Sequence, residues 1–136
     1  MKVRDVMTAQ VATATPKTSV KDIARTMARI DSGVVPVVED GKVVGLVTDR
    51  DIVVRVVADG GDLTTAASTI MSSDVQACSE DDTVADAAAQ MGSHQIRRLV
   101  VNSASGALVG ILSLGDVAME FGAKAVGQTL EEISES

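Results

Sequence analysis

Two pairs of residues in this 136-residue chain have the types and spacing of a polar binding site. Thr48 precedes Asp51 by three positions, and Ser113 precedes Asp116 by the same three. Each pair lies in an apolar run opened by a glycine, "GLVTDRDIV" from Gly45 and "GILSLGDVA" from Gly110. At that spacing a hydroxyl and a carboxylate can close a reciprocal cap on the first turn of a helix. A carboxylate placed there also sits near free N–H groups and the positive end of the helix dipole, and it can accept hydrogen bonds from a ligand's hydroxyls. Residue type alone leaves both uses open. Three arginines stand nearby in sequence: Arg50 beside Asp51, and Arg97 and Arg98 at the head of the apolar run "LVV". A guanidinium presents paired donors that fit phosphate oxygens, and it serves equally well in a surface ion pair of an acidic chain.

Other chemistries find little material. His94 is the only histidine and Cys78 the only cysteine, which is too little for a metal site built on those residues. No P-loop, G-x-G-x-x-G fingerprint or Ser/His/Asp set is present, so the chain reads as a binding protein and not an enzyme. A lone thiol forms no internal disulfide, which fits a reducing cytoplasm. The net charge of −7 would repel a phosphate backbone, and a single Phe with no Tyr or Trp leaves no surface for stacking bases. No apolar run approaches the roughly 20 residues of a membrane-spanning helix. The opening "MKVRDVMTAQ" lacks the apolar centre of a secretory signal.

The elements that must position the two pairs are themselves duplicated. Met7 matches Met71, Val11 matches Val75, and Val20, Ala24 and Met27 match Val84, Ala88 and Met91, all 64 positions on. "VPVVED" from Val35 aligns with "RLVVNS" from Arg98 at 63, and the glycine–aspartate stretches align at 65. That alignment sets Arg97 and Arg98 against Val34 and Val35, with gaps at a helix end and at a hairpin tip two residues longer in the second copy. Ser19 with Asp22 predicts a capped helix whose stripe is Val20, Ile23, Ala24, Met27 and Ile30. Thr83 predicts its counterpart, with Val84, Ala87, Ala88 and Met91 facing a core. "VVPVVED-GK-VVGLVT" reads as a hairpin. A second helix is expected from Asp49 to about Ala58, since the cap signal outweighs the β propensity of "IVVRVV". The order is strand, helix, strand, strand, helix, twice. The first repeat spans residues 1–60, a linker 61–70, the second repeat 71–122, and an acidic tail 123–136.

This layout resembles a tandem pair of CBS domains, the regulatory domains named after cystathionine β-synthase. The resemblance rests on "RDVMT" and "STIMS", on "GVVPVVEDGKVVGLVTDRDIV", and on "HQIRRLVV" followed by "GALVGILSLGDV". It implies an α/β (α+β) fold of two β-α-β-β-α repeats packed sheet to sheet with pseudo-twofold symmetry. It further implies a regulatory module whose clefts take an adenine nucleotide such as AMP, ADP or ATP, with NAD or S-adenosylmethionine as alternatives. Two vicinal ribose hydroxyls would then meet Asp51 and Asp116, with Thr48 and Ser113 donating to ribose or phosphate oxygens and Arg97, Arg98 and Arg50 facing phosphates. By the same resemblance Val75, Ala77, Ile96 and Arg97 line the Asp51 cleft, and Ala9, Val11, Ser32, Gly33 and Val34 the Asp116 cleft. A homodimer and an unknown protein target are expected, with no metal, nucleic acid or membrane. A dimer acting through surface contacts, its clefts empty, is the alternative. Excess apolar residues at Ile52, Val53, Val56 and Val57, and at Val117, Ala118 and Phe121, point to a dimer surface.

Overall fold

The computed structural model describes residues 1–9, 12–120, 131 and 133. Val11, Phe121 and the tail 123–136, apart from residues 131 and 133, lie outside the described residues. In chain order the elements are a 3₁₀ turn (Val3–Asp5), β1 (Thr8–Ala9), α1 (Val20–Ile30), β2 (Val34–Glu39), β3 (Lys42–Thr48) and α2 (Asp49–Ile52). A π-helical turn (Val53–Val57) and α3 (Ala67–Ile70) follow, then β4 (Ala77–Ser79), α4 (Val84–His94), β5 (Arg98–Asn102) and β6 (Leu108–Ser113). Residues 114–120 are helical. The chain forms two compact units, Val11–Val75 on one hand and Met1–Gln10 with Gln76–Ser136 on the other.

The unit holding the second repeat has a four-stranded sheet in the order β1-β6-β5-β4. Its β5 and β6 form an antiparallel hairpin, with β4 parallel to β5 at one edge and β1 antiparallel to β6 at the other. The first-repeat unit keeps the same plan with weaker edges. Its β2–β3 hairpin is flanked by a single parallel bridge, Ala14 to Val37, and a single antiparallel bridge, Leu46 to Ser72. Each sheet is covered by its own long helix. Val20, Ile23 and Met27 of α1 pack with Val35, Val37 and Val47. Val84, Ala87, Ala88 and Met91 of α4 pack with Leu99, Val101 and Leu112. Burying each Val, Leu, Ile or Met side chain contributes about 1.5–3 kcal/mol, so each unit has a core of its own.

The caps are where the residue pattern places them. Ser19 Oγ accepts from Asp22 N at 3.2 Å and Thr83 Oγ1 from Asp86 N at 3.1 Å. Both helices end on a left-handed residue, Asp31 (φ 53°) and Gln95 (φ 56°). The helix from Asp49 also forms, and its last turn widens into π-helix, with Ala58 N donating to Val53 O. Some expected core positions differ. Ala24 and Ile30 are exposed although Ala88, the counterpart of Ala24, is buried. Size accounts for the contrast: Ala87 stands where α1 has Ile23, so α4 can approach its sheet closely enough to cover Ala88 as well. Val56 and Val117 are buried, so neither belongs to an exposed face; Val53, Val54 and Val57 remain exposed.

The ladders also correct the alignment of the repeats. Val34 pairs with Thr48, and Arg98 pairs with Ser113. Val37 pairs with Gly45 and Val101 with Gly110, each just before a bulge. The offset therefore stays at 64 through the first strand of each hairpin, not 63, and the second hairpin tip is longer by one residue, not two. Arg97 corresponds to Gly33 and Arg98 to Val34. A run of similar apolar residues carries no internal mark of register, which only the cross-strand partners supply.

The segment leading into each unit comes from elsewhere in the chain than its repeat suggests. Val3 is fully buried in the core of the second-repeat unit, where its N–H donates to Asp82 O at 2.8 Å and Met1 O accepts from Val84 N at 3.0 Å. Arg4 makes ion pairs with Glu80 and Asp81. In the first-repeat unit Ala67 and Ile70 take that place: Val20 N donates to Thr65 O and Ala67 N to Thr18 O, both at 2.8 Å.

Candidate functional site

Both hydroxyl–carboxylate pairs are reciprocal caps at the end of a hairpin's second strand. Thr48 N donates to Asp51 Oδ2 at 2.8 Å, and Asp51 N donates to Thr48 Oγ1 at 3.1 Å. Ser113 N donates to Asp116 Oδ2 at 2.9 Å, and Asp116 N donates to Ser113 Oγ at 3.1 Å. The cap uses one carboxylate oxygen and fixes the direction of the other. It thereby fixes a carboxylate at a helix start, so capping and ligand contact are compatible roles for one side chain. Asp51 is largely covered, its side chain 13% exposed, and its Oδ1 faces Arg55 Nε at 3.9 Å.

Around these caps the two units differ in charge. In the second-repeat unit a cleft of about 510 Å³ is lined by Arg97, Arg98, Ser113, Leu114, Gly115 and Ala118. Arg97, Arg98 and the capping residue Ser113 thus line one opening, which makes it basic. In the first-repeat unit a smaller cavity of about 290 Å³ is lined by Met27, Ala28, Asp31, Ser32, Gly33 and Asp49. Its charged groups are carboxylates. Asp49 N donates to Gly33 O at 2.9 Å, as Leu114 N donates to Arg97 O at 2.8 Å. Asp49 lies so close that a Cβ on Gly33 would fall 2.7 Å from its Oδ2.

The remaining expected site residues are placed as follows. Arg50 is exposed in α2, and Gly115 takes its place in the second copy. Ser32 and Gly33 lead into β2, where Ser32 Oγ accepts from Val34 N at 3.3 Å and Val34 is buried. Val75 is half-buried in the same unit. In the other unit Ala9 and Ala77 are exposed on β1 and β4, and Ile96 is half-buried ahead of β5. Asp49, Arg55 and Leu114 were not singled out from sequence. Arg55 had a signal, the i,i+4 spacing from Asp51. Asp49 had one only through the corrected register.

Cys78 is buried, and burial together with the Asp82 carboxylate pushes its thiol up to about 11. A buried thiol with so small a thiolate fraction is a poor nucleophile. Among the described residues no three His, Cys, Asp or Glu side chains gather as metal ligands, and no helix is long and apolar enough to cross a membrane.

Two helix-covered α/β units, each presenting a capped carboxylate at the end of its hairpin, define a tandem-repeat module. The family model of the CBS domain matches residues 3–58 and 67–122, and the chain belongs to the CBS-domain family. The CBS domain-containing protein YhcV of Bacillus subtilis (strain 168) is 39% identical over 133 residues, covering 97% of this chain and 94% of that protein. The CBS domain protein PAE2072 from Pyrobaculum aerophilum, whose structure is complexed with AMP, is similar with a TM-score of 0.78 at 27% identity. The similarity covers all of both chains. The CBS domain pair of protein MJ0100, in complex with 5′-methylthioadenosine and S-adenosyl-L-methionine, gives a TM-score of 0.77 at 25% identity. It covers 89% of this chain and 95% of that one.

Proposed function

We propose that this protein is a regulatory module that binds an adenine nucleotide or another adenosyl compound and catalyses no reaction. AMP, ADP and ATP are the first candidates, and NAD and S-adenosylmethionine the next. The observation that carries the reading is the duplicated cap, in which a carboxylate is fixed by one oxygen and keeps the other outside the cap. A ribose diol is the partner that such an acceptor fits. The AMP held by PAE2072 and the adenosyl compounds held by MJ0100 support the same ligand class. We assign Asp51 and Asp116 to ribose, Thr48 and Ser113 to ribose or phosphate oxygens, and Arg97, Arg98 and Arg50 to phosphate. Ala9, Val11, Ser32, Gly33, Val34, Val75, Ala77 and Ile96 are assigned to the base. The buried, lone thiol accords with a reducing cytoplasm.

The second reading is an assembly that works by surface contact alone. Val53, Val54 and Val57 are 58%, 46% and 66% exposed on one turn, and such a patch suits a homodimer. Calorimetry with AMP separates the two readings. Asp51→Asn keeps the side chain's size and removes its charge, and charge-assisted hydrogen bonds contribute roughly 1.5–3 kcal/mol, so affinity should fall about tenfold or more. The 2′-deoxy ligand should bind the unaltered chain more weakly and lose far less in the variant. Undiminished AMP binding by both Asp51→Asn and Asp116→Asn would reduce these carboxylates to helix caps. No binding of any adenosyl compound would leave the assembly reading.

A further inference from the structure

One side chain touches both a candidate ribose carboxylate and the segment that leads out of the first-repeat unit. Arg55 lies on the π-helical turn with its Nε 3.9 Å from Asp51 Oδ1. Its Nη1 donates to the carbonyl of Ile70 at 2.9 Å. Ile70 is the last residue of α3, so that carbonyl has no partner within its own helix. Beyond it, Met71 packs over Gly45, and Leu46 and Ser72 exchange two backbone hydrogen bonds of 2.9 Å. The strand that ends at Thr48 is thus held to residues 70–72, and Arg55 holds the same residues to the carboxylate beyond it.

The second-repeat unit has the same scaffold without this tie. Met7 packs over Gly110 as Met71 packs over Gly45, and Thr8 pairs with Ile111 as Ser72 pairs with Leu46. At the position of Arg55, however, it carries Glu120, which has no proton to donate to a carbonyl. Residues 114–120 are α-helical, whereas the turn that carries Arg55 is π-helical. Single π turns occur often at functional sites.

We propose that Arg55 is a positioning residue that couples occupancy of Asp51 to residues 70–72. The inference rests on the ribose reading given above. An exposed ion pair at 3.9 Å is weak, whereas the bond to Ile70 has good hydrogen-bond length. Ligand hydroxyls that donate to Asp51 Oδ1 take up the charge that draws on Arg55. The guanidinium then settles on the Ile70 carbonyl, and the end of α3 opens less often. Occupancy of Asp116 has no such route.

Hydrogen exchange tests this with AMP on the whole chain. In the unaltered protein AMP should slow exchange of the Met71 and Ser72 amides several-fold, with no matching change at Met7 or Thr8. Arg55→Gln should still bind AMP within a few-fold of the original affinity, and the slowing at Met71 and Ser72 should vanish. Arg55→Lys, which keeps the charge and a donor, should restore part of it. Slowing that survives in Arg55→Gln, or equal slowing at Met7 and Thr8, would overturn the coupling and leave the ribose reading intact. Failure of AMP to bind the unaltered chain would overturn both. If Arg55→Gln does not fold, Arg55→Lys against the unaltered chain decides: reduced slowing in it supports the coupling, and undiminished slowing would overturn the proposal.

Discussion

The two units share a backbone plan and differ in charge at matching positions. Where the second-repeat unit has Arg97, Leu114 and Glu120, the first-repeat unit has Gly33, Asp49 and Arg55. The ladder partners make these equivalences, and the conserved geometry shows in the paired bonds from Asp49 N to Gly33 O and from Leu114 N to Arg97 O. Duplication has kept what shapes the site, namely glycine, capping hydroxyl and carboxylate, while the charges around it have diverged. One unit presents guanidinium groups beside its capping hydroxyl, and the other presents carboxylates at its cavity and a cation behind its capped aspartate. The units should therefore be unequal ligand partners even though their caps are the same to within a few tenths of an ångström.

The largest expected effect exploits a residue that only one unit owns. Cys78 is buried on β4, and its counterpart Ala14 makes the single parallel bridge at the matching edge of the other unit. With the thiol pushed up to about 11 from an ordinary value of 9.0, its thiolate fraction near pH 8 is about 100-fold below that of an unburied cysteine. Alkylation in the folded protein should be slower than in denaturant by at least that factor. The pH dependence follows from the raised value. The folded state favours the neutral thiol, so the stability this gives is present below the unfolded value near 9 and is lost as pH rises through about 11. Ala14→Cys places a second reporter at the matching position of the weaker-edged sheet. It should label faster than Cys78 when each is the only thiol, and equal protection would erase the difference in edge strength.

Next in size is the pair of glycines that let a leading segment cross each hairpin. A Cβ at Gly110 would fall 2.7 Å from the backbone carbonyl of Thr8 as well as from Met7 Sδ. At Gly45 the nearest atoms are Met71 Sδ at 2.5 Å and Cγ at 2.8 Å, with the Ser72 carbonyl at 3.0 Å. A thioether can turn aside and a backbone carbonyl in a ladder cannot. Gly110→Ala should cost about 2 kcal/mol and Gly45→Ala about 1 kcal/mol, by urea unfolding. The reverse order would mean that the two crossings are not alike.

What the sequence discloses divides by range. Ser19, Thr83, Thr48 and Ser113 announce helix starts because capping is settled within four residues, and all four caps are present. The hairpins and the mixed α/β class follow from local periodicity, and the duplication shows because residue types recur in the same order about 64 positions on. Register is different: "VVPVV" and "RRLVV" slide past one another with little penalty in residue type, and a one-residue slip set Arg97 against Val34 when it belongs with Gly33. Leading segments are harder still. Val3 and Ala67 look alike as small buried residues at the start of a repeat, but each joins the core of the unit that the other repeat's hairpin builds, a contact of long sequence separation. The contact of Arg55 with Ile70 was hidden for the same reason, since the two are 15 residues apart.

The smallest expected effect tests the corrected register and the charge contrast together. Gly33 has no conformational need to be glycine, as its φ is not positive; what it lacks is room, because Asp49 fills it. The obstructing atom is the far end of a side chain, so Gly33→Ala should cost only about 0.5–1 kcal/mol as Asp49 rotates away and breaks the bond in which its Oδ1 accepts from Arg50 N at 2.8 Å. Asp49→Leu gives this position the residue that the second unit has at 114. In that background an alanine at 33 should cost nothing measurable, just as Arg97 carries a Cβ opposite Leu114 without penalty. A double-mutant cycle on melting temperature should then return a coupling of about 0.5–1 kcal/mol between positions 33 and 49. Strict additivity would mean that Asp49 does not fill the space beside Gly33. It would also remove the reason for treating Asp49 and Arg97 as opposite charges flanking equivalent sites.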